Sequence, residues 1–319
     1  MMDSATGKLQ RRDDLKLASP AGPVAVDARE QILFVSMRDR SQLASFRIDR
    51  KSGLLEAIAG VPLESDACYI STDRTDRYLL SSYYGAGIVT VHAIDSTGSI
   101  SAKPVDRIVT AEHAHSIRTD ISNSFAFVPH TNPANMIAQF QFDQATGKLS
   151  GSTPRCYAPP TPEGPRHMCF HPQLDVLYTV NENSSTVSGY KLDRESGTLA
   201  GIQTLSMLLS DVEENTGAEI KITPDGRFLF ASNRGHNSIA RFSVQETSGE
   251  LTLLGQQPTE QTPRMFELDP TGQFLYSAGQ HSNQLACYRV DRDSGDMEPL
   301  DIYPVGQGPW WIQFITASG

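Results

Sequence analysis

The sequence predicts an all-β fold, a seven-bladed β-propeller of four-stranded antiparallel blades whose closing blade lacks its two middle strands. Three observations carry that expectation. A turn phrase ending in Ser-Gly or Thr-Gly returns along the whole chain, as DSATGKL from Asp3, DRKSGLL from Asp49, DSTGSI from Asp95, DQATGKL from Asp143, DRESGTL from Asp193, QETSGEL from Gln245 and DRDSGDM from Asp291. Its glycines, Gly7, Gly53, Gly98, Gly147, Gly197, Gly249 and Gly295, stand 45 to 52 residues apart, a period that belongs to repeat architectures. Between them lie short apolar or alternating runs punctuated by Pro, Gly, Asp and Asn, with no helical period.

Residues 219–251, EIKITPDGRFLFASNRGHNSIARFSVQETSGEL, display one repeat most clearly. EIKI alternates, TPDG turns, RFLFAS is a short apolar run, NRGHN is a loop, SIARFSV alternates again, and QETSG leads into a last strand. These are four strands, A to D, none able to bury both of its faces within one repeat, and such units stack as propeller blades. Strand A is expected seven times, from PVAVD at Pro23 through HSIRTD at His115, HMCFHP at His167 and EIKITP at Glu219 to WWIQFI at Trp310. Strand D follows each of the seven turns, whereas strands B and C occur only six times. The opening turn and the strand KLQRRDDLKL after it are therefore the trailing half of a blade whose A strand is WWIQFI. Without B and C those two strands would lie roughly 14 Å apart, three strand spacings, and leave two sheet edges unpaired.

One domain spanning residues 1–319 follows from the unbroken repeat. The chain is long enough to bury a large core, and 39% of it is hydrophobic. Its apolar runs fall short of the roughly 18 residues that span a bilayer, and its start lacks the basic-then-apolar pattern of a secretory signal. Cys68, Cys156, Cys169 and Cys287 are scattered singly, outside any zinc or disulfide spacing. A soluble cytoplasmic protein with reduced thiols is expected. A net charge of -10 makes nucleic acid and anionic membranes improbable partners, and no obligate protein partner is inferred.

In an up-and-down blade the A–B and C–D turns share one face, and here that face is a monotonous series of Asp/Pro/Gly turns. The B–C and D–A loops share the other face, where the repeats differ. That rim collects Arg38, Tyr83, His113, His115, His130, Arg166, His167, Glu182, Arg234, His236, Arg264 and Gln280. Several guanidinium forks beside imidazoles and a carboxylate suit a carboxylate, a phosphate or a developing oxyanion. His113 and His115 have no third ligand at a fixed spacing, so no metal site is expected. Nucleophile-elbow, phosphate-loop and dinucleotide fingerprints do not occur.

The stretches EGPRHMCFHPQLDVLYTVNE, ITPDGRFLFASNR, QTPRMFELDPTGQFL and VGQGPWWI resemble the seven-bladed lactonase family, most of all its bacterial 6-phosphogluconolactonase branch. The resemblance covers nearly the whole chain. It implies hydrolysis of a small anionic phosphorylated lactone, 6-phospho-D-glucono-1,5-lactone, in the pentose phosphate pathway, without a metal or organic cofactor. Another branch cyclises carboxy-muconate to a lactone, so a lactonase or cycloisomerase acting on another carboxylated lactone is the alternative. A non-catalytic binding propeller is the second. Matched position by position, the resemblance implies catalytic roles for His115, Arg166, Glu182 and Arg234, with either Glu182 or His115 as the base. Arg38, Tyr83, His167, Arg264 and Gln280 are the expected substrate-binding residues. The chain departs from its relatives in lacking a strand-loop-strand segment of roughly 20 residues before the first turn, and either a start about 20 residues upstream or a ring that closes poorly is the expectation that follows.

Overall fold

The computed structural model describes residues 1–12, 14–210 and 212–316, which fall into two compact units. One comprises Asp13–Pro160, Arg194–Thr198 and Ile315–Gly319. It holds three four-stranded antiparallel sheets: β1 (Ala21–Val26) to β4 (Leu55–Pro62) through β2 (Ile32–Met37) and β3 (Gln42–Ile48); β5 (Tyr69–Thr72) to β8 (Asp106–Val109) through β6 (Tyr78–Tyr83) and β7 (Ile88–Ala93); and β9 (Arg118–Thr119) to β12 (Lys148–Tyr157) through β10 (Phe125–His130) and β11 (Met136–Asp143). The other comprises Met1–Arg12, Thr161–Asp193 and Leu199–Phe314. Its three sheets run β13 (Pro165–Phe170), β14 (Val176–Asn181), β15 (Thr186–Asp193), β16 (Thr198–Ser206); β17 (Gly217–Ile222), β18 (Phe228–Asn233), β19 (Ser238–Val244), β20 (Leu251–Pro258); and β21 (Pro263–Leu268), β22 (Phe274–Gly279), β23 (Gln284–Val290), β24 (Met297–Pro304). In every sheet the strands are neighbours in sequence order, as the four-run repeat requires. Among the described residues, no helix is long and apolar enough to cross a membrane.

The second strand of each sheet, β2, β6, β10, β14, β18 and β22, is buried along its whole length. These strands are apolar runs rather than alternating ones because both of their faces meet protein. The outer strands mix exposed and covered positions, as in β12 and β24. An Asp at the A–B turn fixes each hairpin in the first three sheets. Asp27 Oδ1 accepts from the N–H groups of Gln31 and Ile32, both at 2.7 Å, and Asp73 and Asp120 repeat the bond pair. The first strand of the third sheet is cut short to two residues. Pro129 explains this: its carbonyl accepts from His115 N–H at 2.9 Å, but it has no N–H to return on the same side of the strand.

The recurring turn glycines join one sheet to the next. Gly147, at φ +74°, lies against the Tyr78 ring at the start of β6, and Gly98 lies against Ile32 at the start of β2. Gly249 meets Val176 and Tyr178, and Gly295 meets Phe228, in the same way. Gly7 belongs to the series, since its turn sits on the Phe274 ring and its carbonyl accepts from the Tyr276 hydroxyl at 2.5 Å. The opening phrase is thus a C–D turn docked on the start of β22.

The expected closing blade needs correction. Among the described residues, six four-stranded sheets are present, and neither residues 8–12 and 14–17 nor residues 310–316 form a strand. Near the chain start only an isolated bridge, Met2 to Leu9, is made. With no middle strand to pair with, these segments keep hydrophobic docking and lose the ladder. Met2, Leu9, Ile312 and Phe314 pack on Phe274, Tyr276 and Cys287.

Gly53 shares the left-handed backbone of the other turns, at φ +78°, but a methyl group added there meets nothing within 4 Å. At Gly147 the same group would stand 2.5 Å from the Tyr78 ring. Both alanine variants bear the cost of a positive φ, and only Gly147→Ala adds a clash. Urea unfolding should therefore find G147A less stable than G53A by about 1–3 kcal/mol.

Candidate functional site

Two local devices aim side chains in the unit built from β13 to β24. The first is a register shift at the start of each innermost strand. It falls between Pro165 and His167 in β13, between Gly217 and Ile220 in β17, and between Pro263 and Met265 in β21. A bulge of this kind bends the strand and re-aims the extra residue, which is Arg166 in β13 and Arg264 in β21. The second device is the residue that leaves strand B. Glu182, Arg234 and Gln280 follow β14, β18 and β22, and each donates its N–H back to the D–A joint, at Gly164 (2.7 Å), Thr216 (2.9 Å) and Thr262 (3.0 Å).

The two devices bring Arg166, Glu182 and Arg234 into one network. Arg166 is 1% exposed; its Nε lies 3.6 Å from Glu182 Oε2, and its Nη1 donates to the Ala218 carbonyl. Arg234 donates from Nη2 to Glu182 Oε1 and, at 3.1 Å, to the Gly217 carbonyl. Burial opposes the charge on Glu182, but Arg166 and Arg234 outweigh it and hold the carboxyl below its usual value. Burial lowers Arg166 to about 9, with Arg264 and Arg234 adding to the shift. The guanidinium of Arg264 lies over the indole of Trp310, 4.7 Å from the ring centre.

Beside this network runs a line of charges, buried at His167 and Glu219 and half-buried at Lys221 and Glu267. His167 Nδ1 is 2.9 Å from Glu219 Oε2, and Lys221 Nζ is 4.0 Å from Glu219 Oε1 and 2.6 Å from Glu267 Oε2. Burial drives His167 well below its ordinary range, and Arg166, Arg264, Lys221 and Arg234 push the same way, which favours a neutral ring whose Nδ1–H donates to Glu219. Burial raises Glu267, against the pull of Lys221. Glu219, Lys221 and Glu267 were absent from the expected site. The signal was the alternation of EIKI, which puts Glu219 and Lys221 on one face of an innermost strand.

Two expected contacts need correction. Tyr83 is fully buried, its hydroxyl 2.9 Å from Thr90 Oγ1 and pushed up to about 12 by burial. The residue equivalent to Glu182 and Arg234 is its neighbour Tyr84, and a one-residue slip on a strand reverses the side chain. His167 is 3% exposed and belongs to the buried line rather than to an open rim. Gln280 is half-buried at the equivalent loop position of β22.

The unit built from β1 to β12 holds the remaining expected residues. Arg38 follows β2, its N–H bonded to the Pro20 carbonyl at 3.0 Å and its side chain lying beside Gly22. His115 is buried and meets Tyr84 edge-on, with ring centres 5.5 Å apart. His113 stacks on the same Tyr84 ring at 4.2 Å, and buried His130 lies 3.1 Å from the Glu112 carbonyl through Nδ1. His113 and His115 thus share one aromatic ring, and His130 faces a backbone carbonyl.

Residues 1–314 match a family model described as lactonase, 7-bladed beta-propeller. A 6-phosphogluconolactonase of Pectobacterium carotovorum is 36% identical over 82% of this chain and 77% of its own length. That of Cronobacter sakazakii is 34% identical over 76% and 72%. Among solved structures, a periplasmic gluconolactonase of Pseudomonas aeruginosa aligns with a TM-score of 0.91 over 99% of this chain and 94% of its own, at 24% identity. The fold is therefore an all-β propeller of four-stranded antiparallel blades.

Acid titration separates the two buried groups. His167 binds its proton more weakly in the folded chain than in the unfolded one, so its share of stability is lost as pH falls below 6.5. Glu182, also depressed when folded, contributes fully above pH 4.5 and is lost as pH falls through its folded value. His167→Asn should flatten the loss of unfolding free energy between pH 6.5 and 4.5, and Glu182→Gln the loss below it. Denaturant midpoints across that range check both.

Proposed function

The chain belongs to the seven-bladed β-propeller lactonase family, and we propose that it opens 6-phospho-D-glucono-1,5-lactone to 6-phosphogluconate through the arginine-flanked carboxylate Glu182. It is a lactone hydrolase, a carboxylic ester hydrolase of the 6-phosphogluconolactonase type, serving the pentose phosphate pathway. The curated relatives support the activity, and the observation that carries the site assignment is Glu182 held between Arg166 and Arg234. The cytoplasm is the compartment this reading favours, since a pathway enzyme with scattered single thiols fits a reducing environment.

A lactone is an activated ester. Its hydrolysis needs a water, an acceptor for the water's proton, and positive charge where the tetrahedral oxyanion forms. Glu182 is ionised across the neutral range and accepts that proton. Arg234, which keeps part of its surface exposed, polarises the lactone carbonyl. Arg166 lies beneath Glu182, holds it in place and adds charge in a setting of low dielectric. The water oxygen bonds to C1, the C1–ring-oxygen bond breaks, and the proton held by Glu182 passes to the ring oxygen, which leaves as the hydroxyl of the open acid. Arg264 takes the phosphate. His115 remains assigned from the family's pattern alone, and Arg38 and Gln280 from their places on the B–C loops.

Glu182→Gln keeps the shape and removes the charge, and should lower kcat/KM roughly 10²- to 10⁴-fold. Arg234→Ala should lower it about 10²- to 10³-fold. In the wild type the acid limb of kcat/KM should lie below pH 4.5, because the carboxyl is held below that value. Freshly generated 6-phosphogluconolactone, unphosphorylated gluconolactone and carboxy-muconate, offered side by side with the spontaneous rate subtracted, form the deciding assay. A clear preference for the first supports the reading; turnover of the muconate alone overturns it.

A further inference from the structure

We propose that Glu163 is a positioning residue, a buried carboxylate that ties the loop carrying Glu182 to the strands of its own sheet and so holds Glu182 beside Arg166. The proposal rests on the reading that Glu182 accepts the water's proton.

Glu163 stands in the joint that leads into β13, shortly before Arg166, and is 3% exposed. Its side chain reaches back into the sheet. Oε2 accepts from Asn181 Nδ2 at 3.2 Å and from Ser188 Oγ at 2.8 Å, and Oε1 accepts from the hydroxyls of Thr161 and Thr204, both at 3.3 Å. Asn181, Ser188 and Thr204 belong to β14, β15 and β16, so one side chain pins the joint to three strands. These donors are neutral hydroxyls and an amide, and a buried carboxylate is tolerated on such terms only while they stay aimed at it.

The main chain of the same residue holds the loop after β14. The Glu163 carbonyl accepts from the N–H groups of Asn183 and Ser184, both at 3.1 Å, and the Gly164 carbonyl accepts from Glu182 N–H at 2.7 Å. Gly164, at φ +69°, makes this approach possible, since a methyl group there would stand 1.9 Å from Asn183 Oδ1. Asn183 and Ser184 are exposed, so the loop has little apolar burial of its own to order it. Its distance from Arg166, on the other side of the joint, is set through Glu163.

The next sheet repeats the device with a different residue. Asn215 holds the same place ahead of β17. Its Oδ1 accepts from the N–H groups of Gly235 at 3.1 Å and His236 at 2.9 Å, and its Nδ2 donates to Asn233 Oδ1 at 2.8 Å. The loop it holds is the one that begins with Arg234. In the sheet from β21 to β24 the equivalent Gln261 is exposed, and the loop there begins with uncharged Gln280. Buried polar braces thus accompany the two loops that supply the ion pair of Glu182 and Arg234.

Steady-state kinetics of E163A, E163D and E163Q on 6-phosphogluconolactone test this, at a temperature where urea titration shows each variant folded. E163A should lower kcat roughly 10- to 100-fold while KM changes less than about three-fold. The acid limb of its kcat/KM should also rise by roughly half a unit or more. Arg166, Arg234 and Arg264 are the charges that face Glu182, and a loosened loop carries the carboxyl away from them. E163D pulls the carboxylate back by one carbon and should fall between E163A and the wild type, which carries the test if E163A does not fold. In E163Q the amide oxygen can accept from Asn181 and Ser188 while its N–H groups meet hydroxyls free to rotate, so most of kcat and the wild-type acid limb should return. A merely structural brace would lower the urea midpoint and leave kcat and the acid limb of the folded enzyme unchanged, and that result overturns the proposal. So does an E163Q as impaired as E163A, because charge rather than the brace would then be at work. E182Q separates the two layers. If it leaves kcat/KM at the wild-type value, the reading of Glu182 falls and the proposal with it. If E182Q lowers kcat/KM while E163A and E163D keep the wild-type kcat and acid limb, only the role of Glu163 falls.

Discussion

Each sheet has a second strand with no exposed residue, and that constraint underlies the rest of the molecule. A strand buried on both faces obliges its sheet to be covered on both sides, which four strands cannot do for themselves. The turn glycines other than Gly53 answer that need: each lays a side-chain-free stretch of backbone on the first large residue of a neighbouring second strand, as Gly147 does on Tyr78 and Gly295 on Phe228. Any side chain at those glycines would push the sheets apart. The spacing of the turns, the burial of the second strand and the stacking of the sheets are three expressions of one packing requirement.

Much of this was legible in the sequence because turn chemistry and strand alternation are local. The four-run unit and the seven turn phrases needed no tertiary information, and even the docking of the opening turn followed from its likeness to the others. The flanks were harder. Whether residues 8–17 and 310–316 form strands depends on partners across the sheet, and without those partners the hydrophobic residues Leu9, Ile312 and Phe314 still dock while their backbone pairs with nothing regular. Tyr83 and Tyr84 show the limit at the scale of one residue. Both fit the loop motif SSYYGAG, and only the register of β6 decides which ring is buried.

At the site, the types of residue were readable and their roles in the network were not. Arg166, Glu182 and Arg234 stand out in sequence as charges at strand ends, yet their exposure differs sharply. The contrast arises from the bulge in β13, a feature of backbone register that composition does not reveal. The line from His167 through Glu219 and Lys221 to Glu267 was hidden for a related reason: charged residues in an alternating strand read as solvated until the strand is known to be innermost. In an acidic protein this cluster gathers four cations, Arg166, Arg234, Arg264 and Lys221, against three carboxylates, Glu182, Glu219 and Glu267. The local balance is therefore opposite in sign to that of the chain as a whole.

The repeated bulge has an evolutionary consequence. Arg166, Ala218 and Arg264 occupy the same backbone irregularity in three successive sheets, just as Glu182, Arg234 and Gln280 occupy the same exit from a buried strand. The ladder bonds at these positions come from the main chain, so exchanging one side chain for another changes the chemistry presented without rewriting the hydrogen bonds that hold the sheet. A lineage that diversifies at such slots can move from one anion to another by single substitutions, keeping its scaffold while its substrate changes.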